Sequence, residues 1–330
     1  MLPIQSLHKF EQLKLLADPR RLAVLRLLMA GPASLTSLGK ILGVHPARVR
    51  HHLKKLETAG LVELVEMHVR SGVVEKFYHA SASGFIFQEI ILPENPKSPV
   101  LVFSGSHDLA MEMLAKQLSK HLTVLTLPVG SLDGLVILRQ NMCSFSGTHL
   151  LDVSGEYNLP YIRHFFPDRA MKVITLAYRE QGLIVAEGNP KTIHSLADLA
   201  RRDVIFINRN PGSGTRLWLD RQLQAEHIFI VNIHGYAKSV RTHTECANLV
   251  RSGKVDAAIG LRAAAHQVGL GFIPLFHERY DLVFESERAR ALAPLLDTLQ
   301  TGKFRRGIEA LTGYETMHTG EQIPLYEKEP

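Results

Sequence analysis

Cysteine is nearly missing from this chain of 330 residues: only Cys143 and Cys246 occur, far apart. Two are too few for a disulfide framework, so both are expected to be reduced thiols. Long apolar runs are missing as well. No stretch reaches the ~20 uninterrupted apolar residues of a membrane span, and the opening MLPIQSLHKFEQLKLL has no apolar signal segment. Both absences point to the cytoplasm and away from a membrane. Acidic residues are scarce only at the start. Residues 1–80 hold 12 Lys/Arg against 6 Asp/Glu, whereas the other 250 hold 26 of each, so the whole net charge of +6 sits in the first quarter. A small nucleic-acid-binding domain on a neutral partner has that balance, and so does a merely solvated basic surface.

Within that quarter, Asp18-Pro19 reads as the cap and first residue of a helix carrying Leu22, Leu25 and Met29, stopped by Gly31-Pro32. A short helix follows around Leu38, Ile41 and Leu42, closed by Gly43. His45-Pro46 then opens PARVRHHLKKLETAG, which Gly60 ends. Val49, Leu53 and Leu56 share one face of this helix; Arg50, His51, Lys54 and Lys55 face the other way, with Arg48 at the flank. Two short helices joined tightly, the second basic outside, fit a helix-turn-helix. The β-branched stretch after Gly60, broken by Arg70-Ser71-Gly72, suggests a hairpin wing whose Arg70 reaches phosphate or the minor groove.

The run LADPRRLAVLRLL…LGVHPARVRHHLKKLETAGLVEL…YHAS resembles the winged-helix domain of ArsR-type bacterial regulators over about 75 residues. Such a domain implies double-stranded DNA as partner and a homodimer. Residues 6–16, read as helix, and the apolar run 85–92 are candidates for the dimer seam. Many members sense metals through Cys or His clusters. Here the domain has no cysteine, and His45, His51 and His52 lie on or beside the DNA-facing helix, so no metal site is assigned.

The polar, proline-bearing stretch 94–98 reads as a linker between a domain at 1–93 and another at 99–330. The pattern then turns α/β. Val100–Phe103 leads into Ser104-Gly105-Ser106-His107-Asp108; a second strand leads to Ser131; Ser144–Asp152 contains Thr148 and His149. The apolar run ending in Ile205-Phe206-Ile207 leads through Asn210-Pro211-Gly212 to Ser213-Gly214-Thr215-Arg216 and a helix. Each places hydroxyls and free backbone N–H groups at a helix start, where anions bind. No Lys follows Gly214, so this is not a Walker loop. Residues 173–190 read as two buried strands around Tyr178, Arg179 and Glu180.

The pieces FSGSHD, SGTHLLD, GEYNLPYIR, YREQGLIVAEGNP, FINRNPGSGTRLWLD, VRSGKVDAAIGLRAAA and ERYDLV resemble, in order, the periplasmic-binding-protein-like domain related to molybdate-binding proteins. That resemblance implies a two-lobed type II α/β fold, with lobe one at 99–177 and 279–330 and lobe two at 178–278. Together the resemblances imply a ligand-responsive transcription regulator with molybdate or tungstate in the cleft. Ser104, Gly105, Ser106, His107, Ser131, Thr148, His149, Tyr178, Ser213, Gly214, Thr215, Arg216 and Glu245 are its candidate ligand residues. Arg216 either meets the anion or bridges to Glu180 or Glu245. A small organic anion or a pterin-like precursor is the alternative effector, suited by Tyr178, His107, His149 and Arg216. An enzyme reading would use His243-x-x-Cys246 as half a metal site or Cys143 as nucleophile. The first lacks a second pair and the second a base, so neither catalysis nor a cofactor is expected.

Overall fold

A computed structural model describes residues 5–7, 9–70, 73–87, 90–94 and 96–326; the side chains of Arg70 and Val73 lie outside that description. The chain divides into two compact units, Met1–Ile91 and Leu92–Pro330.

In the first unit β1 (Gln5–Leu7) and α1 (Phe10–Leu16) precede α2 (Pro19–Ala30). The Asp18 carboxylate accepts the backbone N–H of Arg20 and Arg21, which starts α2. Next come β2 (Ala33–Ser34), α3 (Leu35–Leu42) and α4 (Pro46–Thr58). Ser34 and Ser37 cap α3 reciprocally, and Gly43, at φ 65°, ends it in the left-handed conformation glycine tolerates. Gly39 lets the turn close: a Cβ there would stand 2.8 Å from the Val44 carbonyl oxygen. The strands β3 (Val62–Arg70) and β4 (Val73–Ala80) form the antiparallel wing, and β2 adds to its edge. Leu25, Leu28, Leu38, Val49, Leu53 and Leu56 bury the apolar stripes of α2, α3 and α4 together. Two sequence expectations change. Residues 6 and 7 are strand rather than helix, and β1 pairs in parallel with β5 (Phe85–Phe87), so the two proposed seam segments hold each other. Gln88 and Glu89 of that seam, Ser71 and Gly72 at the wing tip, and Asn95 of the linker lie outside the described residues.

The second unit opens with β6 (Val100–Gly105), α5 (Leu109–Leu118), β7 (Thr123–Pro128), α6 (Ser131–Arg139), β8 (Phe145–Thr148) and α7 (Leu159–Phe165). After β9 (Met171–Val185) come β10 (Phe206–Arg209), α8 (Gly214–Ala225), β11 (Ser239–Val240), α9 (His243–Arg251), β12 (Ala257–Leu261) and α10 (Arg262–Gln267). It closes with β13 (Gly271–Glu285), α11 (Ala289–Leu299), α12 (Gly302–Glu309), β14 (Tyr314–Glu315) and β15 (Gln322–Ile323). The strands make one sheet in the order β11-β10-β12-β9-β13-β8-β6-β7, with β14 and β15 added on β9. β6, β7 and β8 run parallel on one side, and β10, β11 and β12 on the other. Between them lies the antiparallel pair β9–β13, each strand 15 residues long. Residues 173–190, expected as two strands, hold one instead, which ends at Val185. The polar stretch Tyr178-Arg179-Glu180-Gln181 lies within this strand, with Arg179 bonded to Glu278 and Asp108, Glu180 to Arg262 and the Gln181 amide to Glu278.

The candidate anion cleft and the candidate DNA face

The first unit presents Arg48, Arg50, His51, Lys54 and Lys55 on α4, all exposed, while Val49, Leu53 and Leu56 are buried beneath them. Pro46 at the first turn and the His45 imidazole, which accepts the Ala47 N–H at 3.3 Å, fix where the helix begins. Arg50 and Lys54 look into a groove walled by Leu35 and Thr36 of α3 and by Val74, Lys76 and Tyr78 of the wing. Arg70 ends β3 at the far tip of that wing.

In the second unit the loops after β6, β7 and β8 meet those after β10 and β11. Asn210 Nδ2 donates to the Val129 carbonyl at 2.6 Å, and Leu132 N–H to the Gly212 carbonyl at 3.1 Å. Gly130, at φ 109°, lacks a side chain where one would press on Asn210 and on the Ser213 backbone. Across the same seam the His243 N–H donates to His107 Nδ1 at 3.2 Å, which leaves His107 Nε2 to donate to Glu112 at 2.8 Å.

Under the seam lies a buried charge network. Arg179 donates through Nε to Glu278 at 2.7 Å and through Nη1 to Asp108 at 2.5 Å, with its guanidinium 4.3 Å from the Tyr280 ring centroid. Asp108 also caps α5 and accepts from Tyr314. The second oxygen of Glu278 takes His149 Nδ1 at 2.7 Å, and His149 Nε2 meets Ser106 Oγ at 2.8 Å. A carboxylate only accepts, so Nδ1 carries the proton and Nε2 accepts from the serine. Gln181 Nε2 donates to Glu278 at 2.7 Å and to Thr215 at 3.0 Å. Burial works against the Glu278 charge, but His149 and Arg179 outweigh it and hold the carboxyl down at about 2.

Arg209 is different. It is fully buried at the end of β10 and has no carboxylate partner among the described residues. Nη2 donates to the Arg241 carbonyl at 2.8 Å, while Nε and Nη1 are buried without any hydrogen-bond partner. His243 beside it is also fully buried, and neither ring nitrogen has a partner. Burial, reinforced by Arg209 and Arg179, pushes its pKa well below the usual histidine range, so the ring is neutral. A buried polar group without a partner costs roughly 1–3 kcal/mol, and more when charged. Both stand at the carboxyl end of a parallel strand, where open α/β sheets bind ligands.

Of the residues singled out in the sequence, Ser104, Gly105, Ser106, His107, Ser131, Thr148, His149, Ser213, Gly214 and Thr215 are all buried along these loops. Many of their hydroxyls already have work: Thr148 donates to Asn158, Ser213 caps α8 and donates to Asn210, and Ser131 accepts the His149 N–H. Three others serve elsewhere. Arg216 pairs with Asp220 at 2.8 Å and stacks on Tyr236, while Glu180 pairs with Arg262, so neither suggested bridge forms. Glu245 caps α9 with Thr242. Tyr178 is half-buried, its ring 5.7 Å from that of His318. The sequence assigned no role to Arg209, Gln181 and Glu278, placed Arg179 only within a strand, and offered His243 only as half of a metal site. A charged residue closing the apolar run VIFINR was the available signal for Arg209.

No group of three or more metal-binding side chains stands together among the described residues, and no helix there is long and apolar enough to cross a membrane. Residues 111–300 match the PBP superfamily domain, and residues 18–63 match the bacterial regulatory protein, arsR family. The chain is 36% identical over 228 residues to the uncharacterized protein YvgK of Bacillus subtilis (strain 168), covering 68% of this chain and 74% of that one. It is 33% identical over 108 residues to an uncharacterized protein encoded in the 5′ region of a ferredoxin 2Fe-2S gene of Clostridium pasteurianum, covering 32% and 96%. Among solved structures, Peb3 from Campylobacter jejuni matches 66% of this chain and 99% of its own, at 14% identity and a TM-score of 0.44.

Proposed function

We propose that this chain, which belongs to the PBP superfamily and carries an ArsR-family DNA-binding domain at its head, is a transcription regulator whose grip on operator DNA responds to a small anion. The observation that carries the effector half is Arg209, a buried cation with two nitrogens unpaired. An anion entering beside it would satisfy donors that the protein leaves open, which is a reason for the cleft to close on ligand. Two classes of anion are candidates: the tetrahedral oxyanions molybdate and tungstate, and a small organic anion. Glu245 and Arg216, occupied as cap and ion pair, leave this reading to Arg209 and His243, with the loops of Ser106, His107, Ser131, His149, Ser213, Gly214 and Thr215 around them.

On the DNA side, Arg50 and His51 would reach base edges, while Arg48, Lys54, Lys55 and Arg70 would meet phosphates. Phe10, Ile86 and Ile91, apolar and exposed within the two segments expected to form the seam, support a homodimer. A protein with this partner works in the cytoplasm. Catalysis has no part in the reading. Burial pushes the Cys143 thiol up to about 12 and that of Cys246 up to about 11, far from a nucleophile's range.

Calorimetry of the purified protein with molybdate, tungstate, sulfate, phosphate and small carboxylates tests the effector half. Binding of any of these in the native chain and its loss in Arg209→Met is the expected result. Binding that survives Arg209→Met would move the site elsewhere.

A further inference from the structure

The two edges of the large sheet differ. β11, at one edge, is two residues long and lies between the exposed charges of Lys238 and Arg241, which discourage another strand from adding to it. β7, at the other edge, runs six residues without a bulge in its pairing to β6, and residues 122–129 carry no charge. Leu125, Thr126 and Leu127 are exposed, and no strand among the described residues covers this edge. We infer that the edge is an interface between copies of this chain. A second copy adds its own β7 in antiparallel pairing about a two-fold axis at Leu125, which joins the two sheets into one. The inference goes beyond the DNA and anion readings and depends on neither.

The main chain sets the register. Thr123 N–H donates to the Pro99 carbonyl at 2.8 Å and Val129 N–H to that of Gly105 at 3.0 Å, so the odd-numbered residues of β7 face β6. Val124 and Thr126, between them, turn N–H and C=O outward. That row is self-complementary in partial charge: Val124 exchanges both bonds with Thr126 of the second copy, and Thr126 with its Val124. Centring the axis on Val124 instead would set Thr126 opposite Leu122, whose N–H is already taken by the Leu118 carbonyl at 2.9 Å. Centring it on Thr126 would set Val124 opposite Pro128, which has no N–H. With Leu125 on the axis every outward group of Val124 and Thr126 is used. Its side chain then meets its own copy in a non-hydrogen-bonded pair, with Cα atoms about 4.5 Å apart, and the exposed Leu127 lies opposite Thr123. Since β7 has no charged residue, no like charges are brought together.

Disulfide trapping in the full-length protein tests this. Leu125→Cys puts a thiol within reach of its copy, whereas Leu127→Cys leaves the two thiols roughly 13 Å apart along the strand, beyond the ~7 Å Cα limit for a disulfide. The native Cys143 and Cys246 are both buried. Oxidation with diamide should link Leu125→Cys into covalent dimers and leave Leu127→Cys and the native chain unlinked on a denaturing gel. Hydrogen exchange reads the same edge from the main chain. The Val124 and Thr126 amides should be protected in the native protein and lose that protection in Leu125→Lys, where two ammonium groups meet at the axis; an unchanged melting temperature shows that the variant keeps its fold. Equal linkage of the two cysteine variants, no linkage of either, or amides that exchange freely in the native protein would overturn the inference. Amides protected without linkage of Leu125→Cys would overturn it as well, by giving the edge to a different occupant.

Discussion

Two buried arginines of the second unit behave oppositely because of what surrounds them. Arg179 is neutralised by Asp108 and Glu278, and removing it leaves both buried carboxylates without their arginine countercharge. Arg179→Met should therefore cost about 3–5 kcal/mol, read as a lowered denaturant midpoint. Arg209 has no such partners, and replacing it with an apolar side chain of similar reach removes an unpaired charge. Arg209→Met should leave the midpoint unchanged or raise it; a loss like that of Arg179→Met would show that its charge is compensated after all. Glu278 makes the network sensitive to acid. Its pKa lies at about 2, below the ordinary 4.5, so its contribution is complete above about 4.5 and disappears as pH falls toward 2. Stability should fall across that window, and the slope should be shallower in Glu278→Gln; equal slopes would mean that the pair contributes nothing.

At the scale of elements, the head was open to reading from sequence. Asp18-Pro19, Gly43, His45-Pro46 and Gly60 punctuate helices whose apolar spacing is regular, and local capping decides where each begins and ends. The β1–β5 pairing was not readable, because three-residue strands leave too few positions for a period to show. In the second unit the strand–turn–helix order was legible, whereas the length of β9 was hidden by Tyr178-Arg179-Glu180-Gln181, polar in sequence yet paired with β13 and its ionic partners. Arg209 and His243 show the same limit. Their meaning lies in the partners they lack, and only three dimensions can tell that. The exposed face of α4 supports a further expectation. Arg50→Ala should relax sequence preference, whereas Lys54→Ala should weaken binding to all duplexes alike and flatten the salt dependence. Binding across a panel of mutated sites, measured at two salt concentrations, separates the two effects; uniform weakening by Arg50→Ala would dock the helix differently.

For the whole molecule the claim is linkage: an anion that binds one conformation of the second unit more tightly changes the affinity of the first for DNA by the same free energy. Linkage requires no particular arrangement of the two units, only that DNA binding discriminate between conformations that the anion also discriminates. The most direct measurement is fluorescence anisotropy on a duplex selected from a random pool, titrated with inorganic phosphate, lactate and molybdate at constant ionic strength, in the native protein and in Arg209→Met. Constant ionic strength matters because added salt alone weakens protein–DNA contacts. At least one of these anions should change DNA affinity by about fivefold or more in the native chain, and none should do so in Arg209→Met. DNA affinity that ignores every anion, or responds equally in both proteins, would contradict the account.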